Sequence, residues 1–198
     1  MGCCASTPEE HQVDIERKAD KTVKVGEGAT AKTSAHLEEE TTTLQARRYP
    51  DHAGAFDPVI EEYSNATVNE IARKLGPFQY PSGRASDQPR TRKEVQQLEN
   101  GARYVGEWND ATGERDGQGV QIWSDGSRYE GLWRCDKANG VGRLIHADGD
   151  VYEGEWLDDK AHGKGVYMHM DGARYDGDWK EDKQDGYGVE TWPDGAKY

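Results

Sequence analysis

In the stretch Val151-Tyr-Glu-Gly-Glu-Trp156, residue character alternates along the chain. Tyr152, Gly154 and Trp156 fall on one side of an extended backbone, with Val151, Glu153 and Glu155 on the other, which is the period of a β-strand. The turn-like run Leu157-Asp-Asp-Lys-Ala-His162 follows, and Gly163-Lys-Gly-Val-Tyr-Met-His-Met170 again reads as a strand. The pattern therefore predicts a β-hairpin, joined to the next through Asp-Gly, where glycine supplies the positive φ that tight turns require.

The hairpin recurs. Tyr104, Tyr129, Tyr152, Tyr175 and Tyr198 are separated by 25, 23, 23 and 23 residues, and each stands three residues after a glycine: Gly101, Gly126, Gly149, Gly172 and Gly195. Two residues past the first four tyrosines come Gly106, Gly131, Gly154 and Gly177, and two further on Trp108, Trp133, Trp156 and Trp179. A Gly-x-Gly then follows, at Gly117/Gly119, Gly140/Gly142, Gly163/Gly165 and Gly186/Gly188. A fixed period of this size marks a stacked architecture. A large ring lying across a sheet needs a neighbour without a side chain, which accounts for glycine inside a strand. Lone hairpins are marginal in water, so the units must stack to bury their rings, and aromatic area replaces an ordinary core.

The motif Tyr-x-Gly-x-Trp, Gly-x-Gly, Asp-Gly-x-x-Tyr resembles the membrane occupation and recognition nexus (MORN) repeat, with four full units and the opening of a fifth. The likeness covers residues 101–198 only. The first unit departs from it, since Asn109-Asp-Ala-Thr-Gly-Glu-Arg-Asp116 holds two extra residues before Gly117, which predicts a longer hairpin loop. The resemblance implies an all-β, elongated ribbon that serves as a scaffold at membranes, membrane junctions or cortical cytoskeleton. In some such families the repeats precede a phosphoinositide kinase domain, and a direct phosphoinositide role has been proposed for the repeat itself. Because Tyr198 opens a further unit, a continuation of the chain is the expectation.

Composition divides the 198 residues into different materials: 18 of 24 glycines and all six tryptophans lie in residues 101–198. With 33% hydrophobic residues, a net charge of −13 and a mean hydropathy of −1.05, the chain is too polar for a conventional core throughout. Three segments follow: an acylated, disordered tether over 1–46, a partly ordered linker over 47–100, and the repeat ribbon over 101–198. The ribbon holds 12 Lys and Arg against 21 Asp and Glu, which excludes nucleic acid as a partner class. No run approaches the ~18 apolar residues of a membrane span, and the N-terminus lacks a secretory apolar stretch.

The chain begins Met-Gly-Cys-Cys-Ala-Ser. Gly2 matches the N-myristoylation pattern, and Cys3 and Cys4 beside it are placed for palmitoylation. One myristoyl chain binds a bilayer only marginally, and a second makes the anchor stable. The location expected is the cytosolic face of a membrane, with the membrane engaged through acyl chains. The only other cysteine is Cys135, so three cysteines make neither a disulfide framework nor a four-ligand zinc site by themselves. Asn65-Ala-Thr67 fits a glycosylation sequon, a use that needs a secretory signal.

Within the linker, Thr67-Val-Asn-Glu70 fits a capping box, Val68, Ile71, Ala72 and Leu75 share a helical face, and Gly76-Pro77 ends it, predicting a helix near residues 68–75. This helix with Phe78 and Tyr80 is expected to cap the exposed first repeat. A docking motif for a partner is the alternative.

The repeats carry no nucleophile with a base, no phosphate-cradling loop and no metal-ligand spacing, so neither enzyme activity nor a cofactor is expected. Asp158-Asp159 and Glu181-Asp182 read as solvated turn charges, His162 as a loop residue, and His146 and His169 take the place of Trp123 and Trp192 in the outer units. Arg103, Arg128, Arg174 and Lys197 precede the repeat tyrosines and form a basic row, the candidate headgroup contacts. Glu130, Glu153 and Asp176, then Glu107, Glu155 and Asp178, share their face, so pairing of opposite charges competes with that role. The reading reached is a lipid-anchored scaffold that docks protein partners, cytoskeletal ones included, with a homo-oligomer also open. The alternative is the targeting or regulatory segment of a longer phosphoinositide kinase-type enzyme, or a direct phosphoinositide-binding module.

Overall fold

The computed structural model describes residues 63–82 and 88–198. Among the described residues one helix, α1 (Ala66–Leu75), precedes nine strands: β1 (Arg90–Gln97), β2 (Arg103–Asn109), β3 (Arg115–Ile122), β4 (Arg128–Arg134), β5 (Lys137–Ile145), β6 (Val151–Leu157), β7 (Lys160–Met168), β8 (Arg174–Lys180) and β9 (Lys183–Thr191). They form one antiparallel sheet in chain order, the stack of hairpins that the repeat predicts.

A row of paired glycines crosses eight strands: Gly106, Gly119, Gly131, Gly142, Gly154, Gly165, Gly177 and Gly188. The two glycines of each Gly-x-Gly have different tasks. The first (Gly117, Gly140, Gly163, Gly186) takes a positive φ of 60–105° and stands where each hairpin's register shifts. It makes a bulge, which bends the strand. The second belongs to the paired row and is the ring seat.

Two kinds of turn alternate. Inside units two to four the strands are joined by a pair of residues both at positive φ, Cys135-Asp136, Asp158-Asp159 and Glu181-Asp182, the signature of a type I′ turn. The expected turn over residues 157–162 is therefore shorter than read: β7 begins at Lys160 and His162 is a strand residue. Only the first unit has the longer loop, between Asn109 and Arg115, as its two extra residues require. Between units, Gly126, Gly149 and Gly172 take the left-handed conformation after an aspartate whose carboxylate accepts the N–H two residues on, as Asp125 does from Ser127 at 2.8 Å.

α1 spans 66–75 and its cap differs from the expected one. Asn65, not Thr67, is the N-cap, accepting from Thr67 N at 3.0 Å and Val68 N at 3.2 Å. Glu70, read as the box partner, instead pairs with Lys74 at 2.9 Å. The position also differs. Val68 and Leu75 pack with Ile145, Val151 and Val166, on the face opposite the rings and in the middle of the ribbon. The first unit's edge is covered instead by β1, whose Asn100-Gly-Ala-Arg-Tyr104 turn repeats the bonds of the later ones, with Leu98 N to Ala102 O at 2.8 Å and Ala102 N to Asn100 Oδ1 at 3.0 Å.

Candidate functional site

The repeat residues Tyr104, Trp108, Tyr129, Trp133, Tyr152, Trp156, Tyr175 and Trp179 line one face of the sheet as a continuous edge-to-face ladder. Successive ring centroids are 5.0–5.3 Å apart with interplanar angles of 82–89°. That geometry sets the positive ring edge against the negative face of the next. Each tyrosine lies over its glycines: a Cβ on Gly165 would stand 2.4 Å from Tyr152 Oη, and one on Gly142 2.3 Å from Tyr129 Oη. The ring ends are bonded too. Each hydroxyl donates to the carbonyl three residues on, at 2.9–3.1 Å. Trp133, Trp156 and Trp179 donate Nε1 to the carbonyls of Gly119, Gly142 and Gly165 at 3.1–3.3 Å. Burial drives the Tyr104, Tyr129 and Tyr152 hydroxyls far above the ordinary tyrosine range, so none is a general base near neutrality.

Acidic residues read as solvated charge are joints. Asp136, Asp159 and Asp182, each second in its turn, accept at Oδ1 from the backbone N–H of Arg115, Ala138 and Ala161 at 2.7–2.8 Å, and their own N–H groups return a bond. The second, third and fourth hairpins are each thus clamped to the one before. Burial raises the pKa of Asp159 and Asp182 despite that bond. Glu107, Glu155 and Asp178 accept the bulge N–H of Gln118, Lys164 and Tyr187 at 2.7, 3.3 and 3.0 Å. Leu132 holds the equivalent place in the second unit.

Between the third and fourth units, Asp150 is buried and accepts from Tyr167 Oη at 2.8 Å and Met170 N at 2.9 Å, with His169 Nδ1 at 3.2 Å. Burial alone would raise its pKa. The bonds from His169, Met170 and Tyr167 outweigh it and hold Asp150 at about 2. In the second unit Ser127 Oγ does the same work, accepting from Ala147 N at 3.0 Å.

The basic row stands on the opposite face. Arg103, Arg128 and Arg174 begin β2, β4 and β8, Val151 interrupts them on β6, and Lys197 bridges Thr191. Arg128 is buried and bonds Glu130 at 2.7 Å, whose other oxygen binds Arg143 at 2.6 Å. Arg174 bonds Asp176 at 2.8 Å, and the Arg103 guanidinium lies 5.5 Å from the Tyr63 ring centroid. The Arg128–Glu130 and Arg174–Asp176 pairs each lie along a strand, while Glu130 with Arg143 is the cross-strand pairing of opposite charges that was expected. Arg143 also donates to the Gly76 carbonyl at 2.8 Å, locking the end of α1. Asn65 Nδ2 donates to Asp125 O and Ala147 O at 3.2 and 3.1 Å, so the sequon asparagine is occupied by its own fold. Among the described residues no group of His, Cys, Asp and Glu could hold a metal ion, and no helix is long and apolar enough to cross a membrane. Gly2, Cys3 and Cys4 lie outside the described residues.

The MORN-repeat family matches residues 104–128, 129–151, 152–174 and 175–197. The ribbon carries four MORN repeats. These matched segments begin at the ring tyrosines and contain the hairpins β2/β3 to β8/β9. No curated protein matches the chain. Among solved structures, the SAS-4 (dCPAP) TCP domain in complex with a proline rich motif of Ana2 (dSTIL) of Drosophila melanogaster is similar, at 11% identity and a TM-score of 0.28, over 62% of this chain and 96% of that one. MORN repeats and a plain β-sheet fold are typically non-enzymatic, and such repeats are linked to membrane association.

Proposed function

We propose that this chain is a lipid-anchored, non-enzymatic scaffold: acyl groups on Gly2 and Cys3/Cys4 hold it at the cytosolic face of a membrane, and the MORN ribbon docks protein partners there. The observation that carries the reading is how the ribbon uses its chemistry. The ladder hydroxyls and the carboxylates of Asp116, Glu130 and Asp150 are each engaged by the chain's own groups. What remains for other molecules is a long surface and its edges, the character of a repeat protein that grows along one axis. The headgroup alternative has weaker support, because a phosphoinositide needs uncompensated Arg or Lys, while Arg128 and Arg174 are already paired. Membrane fractionation tests the anchor. Gly2→Ala should move the protein to the soluble fraction, and Cys3→Ser with Cys4→Ser should leave weak, reversible binding. Unchanged membrane association of Gly2→Ala refutes it.

A further inference from the structure

The helix α1 takes no part in the ring ladder. It lies on the other face of the sheet, over a floor of Ile145, Val151 and Val166, each no more than 3% exposed, with Met168 beside them. The hairpins beneath it keep their strand pairing, their turn clamps and their rings without its help. The seat nevertheless has the pattern and polarity of a helix. Val68, Ile71, Ala72 and Leu75, spaced i, i+3, i+4 and i+7, pack on the floor. Gly149 lets the first turn come close: a Cβ there would stand 3.0 Å from Thr67 Cγ2 and 3.2 Å from Ile71 Cδ1. Arg143 donates to the Gly76 carbonyl at the C-terminal end, while at the N-terminal end Asn65 bonds the carbonyls of Asp125 and Ala147 in the acidic turns. A cation at the C-terminus and acidic groups at the N-terminus suit the helix dipole. The fastening is light. Within α1 only Val68 and Leu75 are buried, and a helix of ten residues is marginal by itself.

We propose that α1 is a strap over a docking surface: the floor of Ile145, Val151, Val166 and Met168 receives an amphipathic helix of a partner protein, apolar at i, i+3, i+4 and i+7, when α1 lifts away. The chemistry of that partner is read from the helix that now fills the seat. Lifting α1 uncovers a contiguous apolar patch, the kind of surface on which a partner helix lays its apolar face. The ribbon keeps its form meanwhile, because the rings that hold it lie on the other face. Val151 is the selecting residue. The second and fourth units hold Arg128 and Arg174 at this position, and an arginine there would set a charge under the helix, so the third unit alone offers an apolar floor. A tethered helix competes at an effective concentration on the order of millimolar. The strap therefore turns away weak binders and yields to a partner whose apolar face is longer than its own.

This inference rests on the docking role proposed above and names its surface and its partner's chemistry. Hydrogen exchange on the full chain tests the strap. The amides of α1 should exchange about a hundredfold faster than those of β5 to β7, as a locally opening element does. The surface is tested with a fluorescein-labelled peptide of the α1 sequence, Asn65–Gly76, titrated by anisotropy. Val68→Asp with Leu75→Asp should leave the strand amides protected and raise the affinity for the peptide about tenfold or more over the parent chain, since the tethered competitor is gone. Adding Val151→Arg should abolish that gain. Exchange of α1 only together with the strands, or loss of strand protection in the double variant, overturns the proposal, because the helix then belongs to the fold. No saturable binding, equal affinity of parent and double variant, or binding indifferent to Val151→Arg overturns it too. So does a parent dimer in sedimentation that the double substitution makes monomeric, which assigns the surface to α1 of a second copy. Failure of the peptide while Gly2→Ala still releases the chain from membranes sinks the strap alone and leaves the scaffold intact.

Discussion

Gly165→Ala is a substitution whose sign decides whether the ladder holds the ribbon together. Gly165 has ordinary extended backbone, so nothing but space opposes a side chain there, and exchanging glycine for alanine in an open strand should stabilise by about 0.5–1 kcal/mol. A Cβ at this position would lie 2.4 Å from Tyr152 Oη and 2.6 Å from its Cζ, against the ~3.5–4 Å of ordinary contact. The ring must therefore move by roughly 1 Å. It has nowhere to go: Tyr152 is fully buried, with Trp156 at 5.0 Å, Trp179 at 5.1 Å and its hydroxyl on Glu155 O at 2.9 Å. Disturbing two ring pairs at about 0.5–1.5 kcal/mol each and one hydrogen bond at about 1 kcal/mol, with overpacking strain of about 1–3 kcal/mol, gives a loss of about 3–5 kcal/mol, since such contributions do not fully add. Urea unfolding followed by tryptophan fluorescence reads it directly. In a Tyr152→Leu background the same glycine change should become neutral, a coupling above ~2 kcal/mol. A Gly165→Ala protein as stable as the parent, or more so, would refute the reasoning, because the glycine row would then serve only chain flexibility.

The turn clamp is tested at Asp159: Ala should lower stability by about 2 kcal/mol through loss of a charged hydrogen bond, while Asn, which keeps an acceptor and tolerates the φ of 68°, should lose less than half of that in the same melt. Asp150 sets an acid limb. Its folded pKa lies below the unfolded value of 3.8, so it stabilises the fold above about pH 4 by about 2 kcal/mol and that contribution disappears as pH falls toward 2. Asp150→Asn should flatten the stability profile between those pH values, and an unaltered profile would show that the cluster is not an ionic joint. Unacylated protein should fail to sediment with phosphoinositide liposomes at ~0.15 M salt, where the Debye length is about 8 Å; sedimentation that disappears when Arg103, Arg128 and Arg174 become Ala would reinstate the basic row as a lipid site.

The regular part of this fold was legible because its cause is local and repeated. Tyr152, Gly154 and Trp156 alternate on one strand, and the same spacing in four units leaves a single arrangement in which every ring finds a glycine. What the sequence did not disclose depends on relations between units. Asp158 and Asp159 look alike as letters, yet the type I′ turn turns Asp159 back to the amide of Ala138, 21 residues earlier. The one available signal was that the second turn residue is Asp in units two to four, at Asp136, Asp159 and Asp182. β1 was missed because it keeps the turn, Asn100-Gly-Ala-Arg-Tyr104, but holds Thr91-Arg-Lys93 where the other units have Gly-x-Gly. The helix was found and misplaced: its apolar face says that it packs, while the partner surface is Val151, the single interruption of the arginine row.

That interruption joins the two faces of the sheet into one argument. The tyrosine, glycine and tryptophan of the ring face recur from unit to unit because stacking demands it, so those positions have little freedom to distinguish one molecule from another. The opposite face has no such constraint, and there the third unit departs from its neighbours: Arg128 with Glu130 in the second and Arg174 with Asp176 in the fourth flank Val151 under α1 in the third. Divergence on that face has been used to seat the linker. Tyr63 bonds the Gly101 carbonyl, Asn65 reaches the next two turns, and α1 lies over β5 to β7. The linker therefore lies across the middle of the ribbon before it joins the sheet as β1 beside the first unit.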